Sequence, residues 1–420
     1  MMPLTVLEGF EKPRLKALLE HFSIIEDPRE PWRVAHPLPE VLLLVVCGTI
    51  CDCDDYDSIA DWGAAHLGFL RRYLPYYHGV PGGRWLTLLM NRIDPELFSC
   101  AFTSWVREAW PERAQAPAPD APAPDLTVAD APAPRLIAPD LIAPDLIAID
   151  GKTSRRSHDR AAGRPPLHLV SAFATTARLV LGQEAVADKS NEINAIPLLV
   201  RRLAKNDGLK GALVSIDAIA TNATIAGVIK DAGADYLLAV KANQPSLRSE
   251  VEAFFADAGQ PGLEHHRDID KAHGRIEERF VSVGRGVDWL CGDRRFPGEL
   301  RLPSVAAIIR VTARAELKDR CRLETRYYIT SASLTAERAA QAIRGHWGIE
   351  NSLHWVLDVV FKEDQSRLRK GHGAKNMAIV RHFAINLVRS ISDKRSIKLR
   401  RKRAGWDQNY LAELLGQLSC

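Results

Sequence analysis

The sequence predicts an α/β protein in which a small helical amino-terminal region precedes a mixed sheet with a β-rich insertion. Three patterns indicate this class. Residues 1–110 carry apolar residues at three- and four-residue spacing, residues 146–256 alternate between strand and helix patterns, and residues 262–332 lose the helix pattern. With 420 residues, 46% of them hydrophobic, the chain can bury a large core, as two domains or as one domain with a large insertion.

The amino-terminal region, residues 1–110, is predicted to be a bundle of three or four helices. PEVLLLVVCGTI and YDSIADWGAAHLGFLRRYL have helical spacing, and Asp94-Pro95 marks a break before ELFSCAFTSWVREAW. The chain does not start with a basic stretch and an apolar core, and its longest apolar run is shorter than the ~20 residues that span a bilayer. We therefore expect a cytoplasmic protein with no membrane contact.

Residues 111–145 are predicted to be a mobile linker whose deletion leaves folding intact. Proline recurs at every second or third position in copies of APAPD and LIAPD, which removes hydrogen-bond donors and favours extended, unpaired chain. The last copy, LIAID, has Ile149 where the two copies before it have proline. Asp150 is therefore the only aspartate of the series that ends an uninterrupted strand.

From residue 146 on, the patterns alternate as in an α/β layer. LHLVSAFATTARLVLGQEAV predicts two strands joined by a turn, INAIPLLVRRLA a helix, GALVSIDAIA a strand that leads into Asp217, and ATIAGVIKDAG a helix. DYLLAVKANQ predicts a further strand and SLRSEVEAFFADA a further helix. After the β-rich residues 262–332, a long helix is expected from about Thr335, an N-cap residue type, to Phe361.

Three acidic residues are candidates for a metal site. Asp150 is followed by Gly-Lys-Thr, but a phosphate-binding loop is excluded because Leu146 stands where that loop needs its first glycine. Asp150 and Asp217 each end an aliphatic strand, and Glu350 lies in the long helix. Such acids are more often turn residues, helix caps or solvated surface groups. Together, however, three carboxylates suit Mg²⁺, and two such ions ~4 Å apart would clamp a phosphate for in-line attack.

Basic residues are concentrated towards the carboxyl end. Thirteen lysines and arginines lie between residues 367 and 403, against the single acid Asp393. A run of this kind attracts polyanions, of which nucleic acid is the commonest, although it can also be a solvated helix end. The density of Arg400-Arg401-Lys402-Arg403 favours nucleic acid.

Nearly the whole chain outside the linker resembles the DDE transposases of bacterial insertion sequences, specifically the H-repeat-associated subgroup. The resemblance is carried by FSIIEDPRE, HPLPEVLLLVVCG, IADWGAAHLGFLRRY, LIAIDGKTSRRSHD, HLVSAFATTARLVLGQEAVADKSNEINAIPLLV, YLLAVKANQ and RYYITSASLTAERAAQAIRGHWGIENSLHWVLDVVFKEDQSRLRKGHGAKN. It implies a ribonuclease H-like catalytic core in which Asp150, Asp217 and Glu350 are the catalytic acids and the ligands of magnesium, with manganese as a substitute.

The function implied by the resemblance is metal-dependent phosphodiester cleavage and strand transfer at insertion-sequence ends by a two-metal mechanism. The partner would be double-stranded DNA at transposon ends and targets, on which the chain would assemble as a homodimer, in association with the nucleoid. The catalytic domain would span residues 146–392, with the insertion at about 262–332, and residues 393–420 would form a basic tail.

The chemistry and the resemblance together indicate residues that assist the three acids. Lys152 and Lys241 would neutralise phosphates, and Asn243 and Gln244 would bond to the DNA backbone or bases. Trp347 would stack on an unpaired base or pack in the core, whereas packing is the favoured role of Trp355. His346 or His354 would act in proton transfer or orient Glu350. The further DNA-contact candidates are Arg344, His346, Asn351, Arg367, Arg369 and Lys370 near the metals, and Arg400–Arg403 farther away.

The chain also departs from the family's pattern. It has DAIATN in place of Asp-Ala-x-Gly-Cys/Thr-Gln, and PGGRW in place of Pro-x-x-Asp-Thr. Ile343, His346 and Leu357 stand where the larger group of related transposases has Tyr, Arg and Lys. Two alternatives therefore stay open: a non-transposing nuclease of the same fold, and a drifted copy that binds DNA without catalysis.

Overall fold

The computed structural model describes residues 13–111, 145–160, 162–186, 192–217, 221–257, 262–272, 275–291, 301–316 and 321–416. The predicted linker, residues 111–145, lies outside these residues except at its two ends. The chain divides into two compact units. The first contains the residues up to 111, 148–203 and those from 344 on, and the second contains residues 112–147 and 204–343.

Six helices form the amino-terminal part of the first unit, where three or four were predicted. They are α1 (Pro13–Ile24), α2 (Leu38–Ile50), α3 (Tyr56–Ala65), α4 (Leu67–Leu70), α5 (Gly83–Met90) and α6 (Pro95–Ala109). Short polar side chains cap two of them. Asp55 accepts a hydrogen bond from the amide of Ser58 at 2.8 Å, and Asp94 accepts one from the amide of Glu96 at 2.8 Å. The break predicted at Asp94-Pro95 is thus the start of α6.

Three strands and one helix follow in the first unit, and they confirm the predicted hairpin and helix. The strands are β1 (Leu146–Thr153, whose first two residues belong to the second unit), β2 (His168–Ala174) and β3 (Leu179–Val186). They lie in the order β3-β2-β1, and β2 and β3 are antiparallel with a bulge between Ala172 and Phe173. The helix is α7 (Glu192–Ala204).

One buried helix, α12 (Gly373–Val388), organises the first unit. The ring centroid of Phe383 lies 5.4 Å from that of Phe22 and 4.8 Å from that of Trp105. The side-chain amide of Asn376 donates to the carbonyls of Met90 and Ile93 at 2.8 and 2.9 Å. The amino-terminal helices therefore share one core with α12, a packing that sequence periodicity does not indicate.

The carboxyl end forms two further helices, α13 (Ile397–Trp406) and α14 (Gln408–Leu415). Arg401 is fully buried; it donates to the carbonyl of Thr49 at 2.9 Å, pairs with Asp52 at 3.0 Å and lies over the ring of Phe361 at 4.1 Å. The prediction that Arg401 contacts DNA is wrong, because its guanidinium has no access to solvent. The guanidinium of Arg400 donates to the backbone carbonyls of Val388, the last residue of α12, and of Ile391, so it too has a structural role.

In the second unit, six strands are hydrogen-bonded in the order β4-β5-β9-β8-β7-β6. The strands are β4 (Leu213–Ile216), β5 (Asp235–Val240), β6 (Glu264–Ala272), β7 (Arg275–Gly284), β8 (Ala307–Glu316) and β9 (Cys321–Thr330). β4 and β5 are parallel, and every later pair is antiparallel. The predicted β-rich residues 262–332 thus hold four strands, and β9 joins them to β5.

Helices α8 (Ala223–Asp231) and α9 (Pro245–Ala256) lie where the sequence predicts them. Val281, Ile309 and Val311 form a core with apolar residues of α10 (Ala336–His346). The described residues also contain four short 3₁₀ turns: Pro31–Arg33, Lys205–Asp207, Asp288–Leu290 and Glu363–Gln365.

The long helix predicted from Thr335 is present, but it is interrupted. The hydroxyl of Thr335 accepts a hydrogen bond from the amide of Arg338 at 3.2 Å, which confirms the predicted cap. After α10 comes a π-helical turn (Glu350–His354), followed by α11 (Trp355–Val359). Among the described residues, no helix has both the length and the apolar composition that crossing a bilayer requires.

Candidate active site

Asp150 emerges from a buried part of β1. Leu146 to Ile149 are buried, whereas the side chain of Asp150 is partly exposed. A Cβ atom at Gly151 would lie 2.3 Å from Oε1 of Glu192 and 2.6 Å from Nε2 of His168, so a side chain there would have to displace these two residues or the strand. Glycine at this position therefore lets the strand approach Glu192 and His168 closely.

The two residues behind Gly151 belong to a buried polar chain. Nε2 of His168 lies 2.6 Å from Oε1 of Glu192, and Nδ1 of the same ring lies 2.7 Å from the hydroxyl of Thr153. Both ring nitrogens are thus satisfied in a site that excludes water. Sequence reasoning missed this support of the strand, because nothing in the local pattern marks Glu192 as the partner of His168.

Glu350 and His354 face Asp150 from the π-helical turn. Nδ1 of His354 lies 3.1 Å from Oε2 of Glu350 and 3.7 Å from Oδ2 of Asp150. One ligand atom from each of the three residues lies within 4.8 Å of the other two. The carbonyl of Ser352, inside the turn, accepts a hydrogen bond from Arg389. Single π-helical turns of this kind are frequent at functional sites.

The environment sets the charge of the two carboxyl groups in opposite ways. Burial raises the pKa of Asp150, and the nearby His354 only partly opposes this effect. A hydrogen bond from His354 lowers the pKa of Glu350. His354 itself is buried, and its Nε2 has no hydrogen-bond partner among the described residues. The two carboxylates offer oxygen ligands that suit a divalent cation such as Mg²⁺ or Mn²⁺, and the imidazole of His354 lies beside them.

Lys152, predicted to contact phosphate, is turned to carboxylates instead. Its ammonium lies 2.6 Å from Oδ1 of Asp358 and 2.8 Å from Oε2 of Glu363, and its side chain is 9% exposed. Glu363 also pairs with Arg381 at 3.4 Å. Sequence reasoning missed Asp358 and Glu363 as partners of Lys152, because they lie more than two hundred residues away in the chain.

Asp217 lies in the second unit, directly after β4. The ammonium of Lys241 is 2.7 and 2.8 Å from the two carboxylate oxygens of Asp217, and both side chains are about half exposed. The side chain of Gln244 donates to the carbonyl of Thr221 at 3.0 Å, and Asn243 is exposed nearby in the chain. The structure therefore brings Asp217 together with Lys241, as it brings Asp150 together with Glu350.

Most of the predicted DNA-contact residues around Glu350 are exposed. Trp347 is 50% exposed and Trp355 55%, so the packing role favoured for Trp355 is wrong. His346 is partly buried and acts electrostatically on Asp150. The exposed members of the predicted set in this unit are Arg344, Trp347, Asn351, Arg367, Arg369 and Lys370.

Two protein-family models match the chain. The model described as "Transposase DDE domain" matches residues 142–387, more than half of the sequence. The model described as "DDE_Tnp_1-associated" matches residues 19–106, the amino-terminal helices.

Curated relatives cover almost the full length of the chain. "H repeat-associated putative transposase YhhI" and "Putative protein YbfL", both of Escherichia coli (strain K12), are each 36% identical over 96% of this chain and 98% of their own length. "Putative transposase YncI" of Escherichia coli O157:H7 is 34% identical over 96% of both chains. A solved piggyBac transposase synaptic complex with hairpin DNA covers this chain with a TM-score of 0.37 and 10% identity, a likeness too weak to identify a shared fold.

Proposed function

The chain belongs to the DDE transposase family, and from this premise we propose that Asp150, Asp217 and Glu350 form its catalytic metal site. It is a transposase that acts on DNA, and the proposed reaction is cleavage at insertion-sequence ends followed by strand transfer. The single observation that carries the proposal is the convergence of Asp150 and Glu350 on His354 at 3.7 and 3.1 Å.

The residues present fit a divalent metal ion. Asp150 and Glu350 offer carboxylate oxygens, and the ring of His354, which bonds to Glu350, lies within the same small space. We assign the third acid, Asp217, to the same metal centre on the family pattern. A bound Mg²⁺, or Mn²⁺ in its place, would supply Lewis-acid polarisation of the scissile phosphate and activation of a water or 3′-hydroxyl nucleophile.

The chain's own side chains prepare this site. His354 orients Glu350 and keeps it ionised, since its hydrogen bond lowers the pKa of that carboxyl group. Asp150 is partly desolvated without a full counter-charge, which favours a cation beside it. Lys241 neutralises Asp217 and can turn to a DNA phosphate when a metal takes its place.

We assign the catalytic core to the ribonuclease H-like fold. Support comes from the antiparallel hairpin β2–β3 next to β1, and from the parallel pair β4–β5 with α8 between them. The positions of Asp150 on β1 and of Asp217 directly after β4 support this assignment. This arrangement is the one that the family resemblance implies.

DNA contacts are proposed for exposed residues around the acids. Trp347 and Trp355 offer aromatic faces on which unpaired bases can stack, worth ~1–3 kcal/mol each. Basic and amide groups would hold the backbone of transposon ends and target, in a homodimer on the DNA. These residues are Lys241, Asn243, Gln244, Arg344, His346, Asn351, Arg367, Arg369 and Lys370.

The proposal is tested by incubating the purified chain and Mg²⁺ with DNA that carries the element's terminal repeats. Asp150→Asn, Asp217→Asn and Glu350→Gln should each abolish cutting but keep DNA affinity. Asp231→Asn, at an exposed aspartate at the end of α8, is the matched control and should cut normally. Cuts without strand-transfer products would favour a nuclease, and an absence of Mg²⁺-dependent cuts would favour a drifted DNA-binding copy.

A further inference from the structure

Two charged side chains of β1 face the helical segment that carries Glu350. Residues two apart in a strand point to the same side, so Asp150 and Lys152 share one face. Opposite them, His354 and Asp358 follow Glu350 at four-residue spacing. His354 lies 3.7 Å from Asp150, and Asp358 lies 2.6 Å from Lys152. The strand and the helical segment are therefore joined by two successive polar contacts.

The contact made by Lys152 is the more firmly held of the two. Its ammonium also lies 2.8 Å from Glu363, a side chain that is 2% exposed. The acids Glu363 and Asp358 raise the pKa of Lys152 although burial acts to lower it, so the lysine stays charged. The next part of the chain is tied to the same place, because the amide of Arg155 donates to Asp364 at 3.1 Å.

A phosphate contact does not explain this arrangement. Lys152 has three donors, and the carboxylates of Asp358 and Glu363 already engage its ammonium. The three acids Asp358, Glu363 and Asp364 match the three cations Lys152, Arg155 and Arg381, so the cluster has no excess positive charge with which to attract DNA.

We propose that Lys152 is a positioning residue, which fixes the register of β1 against residues 350–358 and thereby the separation of Asp150 and Glu350. This inference rests on the proposed metal site. Lys152 acts through Asp358 and Glu363, and it touches neither DNA nor metal. Removing it should let Asp150 and Glu350 move apart.

The sign of the change in metal affinity separates positioning from simple charge. Lys152 acts electrostatically on Glu350. If charge were its only effect, removing this cation would strengthen the binding of a divalent ion. Loss of positioning has the opposite effect, since outer residues that orient metal ligands typically contribute about 10–100-fold to affinity.

The experiment measures Mn²⁺ binding to the full chain by electron paramagnetic resonance titration. Lys152→Met should weaken Mn²⁺ binding about 10-fold or more, and Lys152→Arg, which keeps the charge, should recover part of it. Asp358→Asn should weaken binding as well, and Lys152→Met combined with Asp358→Asn should be no worse than Lys152→Met alone. Lys230→Met, which removes a lysine–aspartate pair of 2.7 Å in the second unit, is the matched control and should bind like wild type.

DNA binding supplies the second readout. The slope of log affinity against log salt should not change in Lys152→Met, whereas a lost phosphate contact would lower it by about one unit. Unchanged or tighter Mn²⁺ binding in Lys152→Met, or a lowered salt slope, would overturn the inference. Should Lys152→Met not fold, Lys152→Gln, which also removes the cation but keeps a polar side chain, decides by the same criteria. If Glu350→Gln bound Mn²⁺ as tightly as wild type, the proposed function itself would be overturned.

Discussion

The buried carboxylate Glu363 offers a test of the ion-pair cluster that is independent of catalysis. Burial acts to raise its pKa, but Lys152 and Arg381 outweigh burial and lower the pKa of Glu363 from 4.5 to about 2. Glu363→Gln mimics the protonated, uncharged form with little change in shape. A depression of this size corresponds to about 3 kcal/mol of folding free energy.

The sign of the effect fixes its pH dependence. The folded-state pKa is depressed, so the stabilisation is fully present above the unfolded-state pKa, about 4.5, and is lost as the pH falls through about 2. The free energy of unfolding of Glu363→Gln should therefore be about 3 kcal/mol below that of wild type at pH 7. The difference should shrink steadily below about pH 4.5.

Urea denaturation across a pH series measures this difference without screening charges by salt. Glu252→Gln is the matched control, because Glu252 pairs with Arg248 at 2.7 Å on an exposed helix surface; its effect should stay within about 0.5 kcal/mol. A loss below about 1 kcal/mol for Glu363→Gln, or one that does not vary with pH, would refute the reasoning.

Three further predictions follow from the same contacts. Gly151→Ala should slow cutting by about 100-fold, because its Cβ would displace the strand of Asp150. At Gly227 the added atom meets nothing within 4 Å, so Gly227→Ala should cut like wild type, with a stability that is unchanged or slightly higher. Equal cutting rates for the two variants would count against a close fit at Gly151. Arg401→Met should lower the free energy of unfolding by about 3 kcal/mol or more, since it leaves Asp52 and a buried carbonyl unpaired. Lys402→Ala, at an exposed position, should lower it by less than about 0.5 kcal/mol. An Arg401→Met variant as stable as wild type would contradict the buried pairing. Because burial raises the pKa of Asp150, Mn²⁺ binding should begin to weaken, as the pH falls, at a higher pH than it would with an exposed aspartate. Titration with Mn²⁺ at several pH values measures this. An affinity that stays constant down to about pH 4 would contradict the prediction.

The local spacing of apolar residues predicted many of the strands and helices. Strand and helix periodicity located the hairpin of β2 and β3, the alternation from β4 to α9 and the cap at Thr335, because burial on one face leaves a repeat in the sequence. Asp150 and Glu350 were identified as neighbours by chemistry and resemblance, and His354 by its spacing from Glu350.

Contacts between distant segments were not predictable in this way. Arg401 belongs to a basic run that the sequence predicts to bind nucleic acid, yet its partners are Thr49 and Asp52 at the other end of the chain. Lys152 lies two residues after a candidate catalytic acid and was predicted to contact phosphate, yet its ammonium pairs with Asp358, far along the chain. The charge of a side chain determines which kinds of group it can pair with. Which of those groups lies next to it depends on tertiary packing.

The central claim is that Asp150, Asp217 and Glu350 hold one metal centre. Its most direct test is a crystal structure of the chain with Mn²⁺ and terminal-repeat DNA, with an anomalous difference map recorded at the manganese absorption edge. We predict manganese peaks coordinated by carboxylate oxygens of all three residues, with the ring of His354 adjacent. Manganese bound by Asp150 and Glu350 while Asp217 stays paired with Lys241, or no peak at these acids at all, would contradict the account.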